Sequence, residues 1–261
     1  MKKIFYTAPS VKKAFKILQA ISDSSSGMGV TDLSKQLKIG KSTVHGITAA
    51  LDELGVIIRD PLQKKYSVGF TLLELGKKAY AKMELKEVTR KPMERLMERI
   101  GETVFLGVLN GNRVTILDVV ESRNEMKITS PPGTRLPLLV GATGRALLAQ
   151  LEKEKAKEIV QKMGLTRYTA KSVTDPRQFL KEVAKAREEG YAVDDEEYMA
   201  GVRAIAAPIQ APSAPPAAIW AVGFTSTMDG KKMETVISEI RGTAREIHQA
   251  LEKTVNGGVT L

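Results

Sequence analysis

The segment Thr31–Val68 reads TDLSKQLKIGKSTVHGITAALDELGVIIRDPLQKKYSV. Leu33 and Leu37 sit four residues apart, on one face of a short helix over Thr31–Leu37, with Thr31 as its expected N-cap. Lys38-Ile39-Gly40 interrupts that pattern. Val44, Ile47, Leu51 and Leu54 then keep helical spacing along Lys41–Leu54 and form an expected buried stripe. Two short extended runs follow, on either side of the turn Asp60-Pro61-Leu62-Gln63. Two helices meeting at a tight break, with a small hairpin behind them, make the pattern of a winged helix-turn-helix. Such a module lays its second helix in the DNA major groove.

On that reading the start of the second helix offers Lys41, Ser42, Thr43, His45 and Gly46 to base edges and phosphates. Arg59, Lys64 and Lys65 flank the wing turn, within reach of phosphates. The plain alternative is an ordinary amphipathic helix with a small polar face. Gly46 is out of place in either case, because a glycine inside a helix costs on the order of 1 kcal/mol relative to alanine. It allows close approach to DNA or merely weakens the helix.

Charge favours the first reading. Residues 1–90 carry 16 Lys and Arg against 8 Asp and Glu, whereas residues 91–261 carry 24 against 22. Nearly all of the net +10 therefore lies in the part of the chain that holds the motif. A one-sided basic excess is the footprint of a polyanion partner. The chain has no cysteine and only two histidines, His45 and His248. Disulfides and thiolate metal sites are excluded, a histidine-rich metal site is not expected, and no cofactor is indicated. No apolar run is long enough to span a membrane. Lys2 and Lys3 are followed by no apolar signal region, so a soluble, cytoplasmic protein is expected.

Along the chain, Val11, Ala14, Phe15, Leu18 and Ile21 predict a first helix over Ser10–Ser22. Thr71–Val88 reads as a connecting helix, with Leu72, Leu75, Ala79 and Met83 in phase. After Pro92 the pattern becomes mixed. A helix is expected at Met93–Ile100 and a hairpin at Thr103–Val120, turning at Asn110-Gly111-Asn112. Strands are expected at Met126–Ser130, Tyr191–Val193, Ala204–Ile209 and Ala217–Phe224, and helices at Gly141–Leu151, Pro176–Glu189 and Met233–Val255. Ala211–Ala218 reads as a loop. The fold class is α+β, with a mostly antiparallel sheet in the second domain. The expected organisation is a winged helix-turn-helix over residues 1–70, a linker helix over 71–90, a second domain over 91–256 and a flexible tail over 257–261.

Several blocks in a fixed order resemble the IclR family of bacterial transcription regulators. They are KKAFKILQAI, KSTVHGITAALDELGVI, KYSVGFTLLELG, GETVFLGVL, LPLLVGATGRALLAQL and REEGYAVDDEEYMAGVRAIAAPI, followed by a C-terminal helix. The resemblance covers essentially the whole chain. It implies a GAF-like C-terminal domain that binds a small effector, an assembly that is a dimer or a dimer of dimers, and action as a repressor more than as an activator. It places the effector at the glycine loop Gly141, Ala142, Thr143, Gly144, at Asp194, and at the strand positions Ala204, Trp220 and Val222. The last three depart from the family, which commonly has thiol or hydroxyl groups there. The expected effector is therefore an organic or aromatic acid larger and more apolar than a small keto acid, unless Trp220 fills the pocket or simply faces the core. The family also commonly has arginine where this chain has Gly46, so its operator is not inherited from relatives.

An enzyme with a protein-binding N-terminal domain is the competing class. The run Asp194-Asp195-Glu196-Glu197 offers carboxylates for acid–base chemistry or a hard metal. Against it, no serine–histidine pair is indicated, since His45 lies in the DNA-binding domain and His248 in the last helix, and GATGR lacks the spacing of a nucleotide-hydrolysing phosphate loop.

Overall fold

The computed structural model describes residues 8–81, 84–210 and 215–257. The chain divides into two compact units, Met1–Lys82 and Met83–Leu261.

The first unit contains α1 (Pro9–Ser22), α2 (Val30–Leu37), α3 (Lys41–Glu53), β1 (Ile57–Arg59), β2 (Tyr66–Val68) and α4 (Phe70–Ala81). The three N-terminal helices close on a core of Ile17, Ile21, Leu33, Ile39, Val44, Ile57 and Tyr66. Between α2 and α3, Lys38 takes a left-handed conformation with φ +53°. The Ser34 hydroxyl donates to the Ile39 carbonyl at 2.7 Å and ties the turn down. β1 and β2 pair antiparallel, with Ile57 opposite Val68 and Arg59 opposite Tyr66.

Three local expectations change here. Thr31 does not cap α2. The helix begins at Val30 behind Gly29, so Thr31 already lies inside the first turn. The Asp32 carboxylate accepts instead from the Gly29 N–H at 3.4 Å. Leu54 is 65% exposed, because α3 ends at Glu53 and the chain swings away at Gly55, where φ is +66°. Thr48 joins the buried stripe, its hydroxyl bonded to the His45 carbonyl at 3.1 Å. On α1 the inner face is Ile17, Ala20 and Ile21, while Val11 and Phe15 are exposed.

The second unit contains α5 (Glu84–Ile100), β3 (Thr103–Asn110), β4 (Arg113–Val120), β5 (Arg135–Pro137), α6 (Gly141–Leu148), α7 (Lys153–Met163), α8 (Pro176–Glu189), β6 (Ala192–Asp195), β7 (Val202–Ile209), β8 (Ala217–Phe224) and α9 (Gly230–Gly257). Its six strands lie in the order β5-β4-β3-β8-β7-β6, and every neighbouring pair is antiparallel.

Both faces of the sheet are covered. That explains why its central strands read as near-continuous apolar runs. Along β8, Ala217, Ile219 and Ala221 enter the core shared with α5 and α9. Ala218, Trp220 and Val222 alternate onto the opposite face, against residues of α6 and α8. The β3–β4 hairpin turns at Gly111, whose φ of +60° suits the first position of a two-residue turn.

The expected linker helix over Thr71–Val88 is described as helical up to Ala81, in α4, and again from Glu84, in α5; residues 82 and 83, with Met83 of its expected apolar face, lie outside the described residues. Helix α5 runs through Pro92 instead of starting after it. Leu85, Met93, Leu96, Met97 and Ile100 hold it by burial in one core on either side of the proline. The expected strand Met126–Ser130 does not form. The place beside β4 is taken by β5, with Arg113 opposite Pro137. The Thr129 hydroxyl and Lys127 ammonium bind the Glu121 carboxylate instead, at 2.8 and 3.2 Å. Helix α7, with Ala156 and Val160 buried four apart, was not anticipated. In the expected Ala211–Ala218 loop, residues 211–214 lie outside the described residues and Ala217 already opens β8. Gly257, expected in the tail, ends α9, and residues 258–261 lie outside the described residues. Among the described residues no helix is long and apolar enough to cross a membrane.

Ile240 is fully buried at the centre of the face that α9 lays on the sheet. An Ile240→Ala change should lower unfolding free energy by about 2–5 kcal/mol. Urea denaturation at constant m-value checks this, and a loss below a few tenths would place α9 outside the stabilising core.

Candidate nucleic-acid interface and ligand cavity

Helix α3 sorts its residues by face. Val44 and Thr48 are buried, whereas Lys41, Ser42, His45 and Gly46 are exposed together and Thr43 is half-buried beside them. A side chain added at Gly46 would meet nothing within 4 Å. Nothing inside this unit therefore requires a glycine there.

In the wing, the Asp60 carboxylate accepts from the backbone N–H groups of Leu62 and Gln63 at 2.8 and 2.9 Å. It folds the turn on itself, and Lys64 follows with φ +54°. Arg59 and Lys64 are exposed and Lys65 is half-buried. Among the described residues, none of Lys41, Arg59, Lys64 and Lys65 forms an ion pair with a carboxylate. These cations carry no internal neutralising partner. The sequence pattern did not reveal Asp60 as the wing's organiser, although an aspartate two residues before a turn amide is a recognised turn former.

The second unit holds a cavity of about 190 Å³. Ala142, Thr143, Asp194, Ala204, Trp220 and Val222 line it, so six of the eight residues expected at an effector site meet around one space. Gly141 and Gly144 do not line it; they shape it. Gly141 has φ +48°, and a Cβ there would lie 1.9 Å from an oxygen of the Asp194 carboxylate. A Cβ on Gly144 would lie 1.9 Å from the Leu138 carbonyl oxygen. Only glycine lets the start of α6 approach both groups.

Trp220 is 3% exposed and stacks on Phe105, with ring centroids 5.4 Å apart and planes 12° from parallel. It is core and cavity wall at once, and it leaves the cavity open. The sequence did not point to the other lining residues, among them Phe105, Ile116, Tyr198 and Met199. For Phe105 the strand alternation was a usable signal; for Tyr198 and Met199, in a connection between strands, there was none.

The acidic run divides by role. Arg203 binds Asp195 at 2.6 Å and holds its carboxyl below the usual range. Lys171 does the same for Glu196, also at 2.6 Å. Glu197 pairs with Arg145, which also reaches Glu182 at 2.6 Å and donates to the Val193 carbonyl at 2.8 Å. Asp194 alone faces the cavity. Burial pushes its carboxyl up to about 6, and the bond from the Glu197 N–H at 2.7 Å opposes that rise. His248 is placed structurally, with a ring nitrogen 2.8 Å from the Gln210 carbonyl oxygen. The carboxylates are thus committed to cations or isolated in an apolar pocket. They are not arranged as an acid–base pair, and the enzyme reading has no constellation to support it.

A helix-turn-helix with a free basic face and, in the same chain, an α+β unit with a cavity make up a DNA-binding regulator. The comparisons agree. Residues 10–61 match the IclR helix-turn-helix domain, and residues 77–249 match the bacterial transcriptional regulator IclR C-terminal domain. The HTH-type transcriptional regulator BhcR of Paracoccus denitrificans is 34% identical over 91% of this chain and 85% of its own length. The HTH-type transcriptional repressor AllR of Escherichia coli is 29% identical over 94% of this chain and 90% of its own. An IclR homologue from Microbacterium hydrocarbonoxydans, solved as a complex with 4-hydroxybenzoate, shares the fold with a TM-score of 0.78. It is 24% identical, over 93% of this chain and 99% of that one. The chain belongs to the IclR family of bacterial transcription regulators. That family is one of transcription regulators.

Asp194 makes stability depend on pH. Its carboxyl titrates at about 6 in the folded chain, against an ordinary value of 3.8. The folded state therefore binds the proton more tightly, and stability falls as pH rises from about 4 through 6. Asp194→Asn keeps the shape and removes the charge. It should leave stability near pH 4 unchanged and raise it at pH 7 by on the order of 2–3 kcal/mol. Parallel wild-type and variant stability curves across that range would refute the assignment.

Proposed function

We propose that this regulator binds a pseudo-palindromic operator as a dimer or dimer of dimers, acts as a repressor, and has its DNA affinity modulated by a small organic or aromatic acid bound in the cavity of its C-terminal unit. The observation that carries the DNA part is the single exposed face of α3, where Lys41, Ser42, His45 and Gly46 lie together opposite buried Val44 and Thr48. Arg59, Lys64 and Lys65 at the wing supply phosphate contacts alongside. Two such units related by symmetry require half-sites one or more helical turns apart, roughly 34 Å per turn. Repression is favoured by the likeness to a relative named a repressor.

The effector class is supported by the mostly apolar wall around Asp194 and Trp220, and by the fold-level neighbour that carries 4-hydroxybenzoate. A ligand shifts the DNA-binding equilibrium only by its differential affinity for the two states of the protein. The cavity is the place where that difference arises.

Fluorescence anisotropy on the DNA upstream of its own gene tests the reading. The logarithm of affinity should fall linearly with the logarithm of salt, and Lys41→Ala should flatten that slope by about one unit. An unchanged slope and affinity in both Lys41→Ala and Thr43→Ala would remove α3 from the interface. Gly46 gives a second, opposed pair of outcomes. Gly46→Ala should stabilise the N-terminal unit by about 0.5–1 kcal/mol, since helix propensity rises and no atom is displaced. Operator affinity should drop at the same time, because the new methyl group stands on the face turned to DNA. A gain in both quantities would show that DNA does not approach at Gly46.

A further inference from the structure

The cavity described above contains a charge problem. Of the described residues that line it, Asp194 is the only charged one. An organic acid placed wholly inside would set its carboxylate against another carboxylate in an apolar enclosure. Burying two like charges without a cation is among the costliest arrangements a protein can adopt.

The missing cation lies next door. A second pocket, of about 370 Å³, is lined by Asn112, Arg113, Thr166 and Tyr168 among others, and it shares Pro137 and Val140 with the first. Arg113 is the only charged residue lining it, and among the described residues its guanidinium has no carboxylate partner. The wall between the two spaces is also aromatic. Tyr198 from the first pocket and Tyr168 from the second meet edge to face, with centroids 5.1 Å apart. Burial raises the Tyr198 phenol above its ordinary value, and the Arg113 charge works against that rise. The guanidinium is therefore felt at the wall of the first cavity.

Two neighbouring pockets, each with one charged side chain and of opposite sign, suit one ligand better than two. We propose that they form a bipartite site for an extended organic acid. Its apolar body and a hydrogen-bond donor, a hydroxyl or an ammonium, occupy the cavity against Asp194. Its carboxylate extends past Pro137 and Val140 onto Arg113. This deepens the effector reading above and rests on it. It assigns Arg113 a role in specificity, and it makes Asp194 the acceptor for the ligand's far end rather than a neighbour of its carboxylate. A planar guanidinium with free donors matches a carboxylate in two parallel bonds, so the geometry discriminates acids from neutral analogues.

The test uses the full chain and its only tryptophan, Trp220, which lines the first cavity and reports occupancy by its emission. Three probes are titrated: 3-(4-hydroxyphenyl)propanoate, its neutral primary amide, and 3-phenylpropanoate, which lacks the hydroxyl. Arg113→Gln should weaken both acids about tenfold or more, the usual scale for losing a charge-assisted bond, and leave the amide unchanged. Arg113→Lys should restore part of the loss. Asp194→Asn, which keeps an acceptor oxygen but loses the charge, should narrow the preference for the hydroxylated acid over the plain one.

Equal acid affinity in wild type and Arg113→Gln overturns the bipartite site while leaving an acid-binding cavity standing. So does a gain in affinity for the hydroxylated acid in Asp194→Asn, which would place the ligand carboxylate against Asp194. If no probe changes the emission of the wild-type chain at millimolar concentration, the acid-effector reading falls, and this inference with it.

Discussion

Arg145 is 2% exposed, yet it carries a full charge within α6, a helix whose every residue is buried. Desolvating a guanidinium costs several kcal/mol, which the protein must offset with close, well-directed partners. It does so by gathering them from distant parts of the chain. Glu197 receives two of its N–H groups, the Val193 carbonyl accepts at 2.8 Å, Glu182 on α8 pairs at 2.6 Å, and the guanidinium sits 5.3 Å from the Phe179 ring centroid. Once Glu197 is fixed, much else follows. Its N–H donates to Asp194. Its carbonyl accepts from the Ser172 hydroxyl at 2.7 Å and the Thr169 hydroxyl at 3.2 Å. One buried charge therefore fastens α6, α8, the connection after β6 and the loop carrying Thr169 and Ser172 around one wall of the cavity. Among the described residues the Arg145 Nε has no partner, so the network orders these elements at some cost in stability.

Sequence reading handled the DNA-binding unit and this network very differently, for a physical reason. The helix-turn-helix is made of local signals: spacing of apolar residues, a break, a turn. Its errors were local too. Thr31 failed as a cap because the helix began one residue early, and Leu54 failed as core because the chain left the helix at Gly55. In the second unit the strands of the sheet's centre were legible because both their faces are buried. The edge was not. Nothing in Met126–Ser130 says that Arg135–Pro137 will take the place beside β4. Arg145 was invisible for the same reason. In GATGRALL a lone arginine reads as a surface residue, and its burial is decided by Glu182 and Glu197, which are far away along the chain.

The candidate ligand site was legible only through resemblance. Composition could not bring Gly141, Asp194 and Trp220 together, since they lie on α6, β6 and β8. What the structure adds is the division of labour among them. The glycines make room, Trp220 supplies wall, and Asp194 supplies the single charge. In the run Asp194–Glu197 only the resemblance singled out Asp194. The run proves to be three anchored carboxylates and one exposed to the cavity, because strand alternation and the location of Arg145, Lys171 and Arg203 treat each differently.

The glycines carry the argument one step further. Gly141 and Gly144 are explained inside the molecule, since a methyl group at either would overlap an oxygen at 1.9 Å. Gly46 has no such account. It sits on an exposed helical face with nothing within 4 Å, where alanine would be the more stable choice. An alanine there would displace nothing within the unit, so packing leaves that position free to vary. Packing within the unit thus gives no reason for the helix cost at Gly46, in contrast to Gly141 and Gly144.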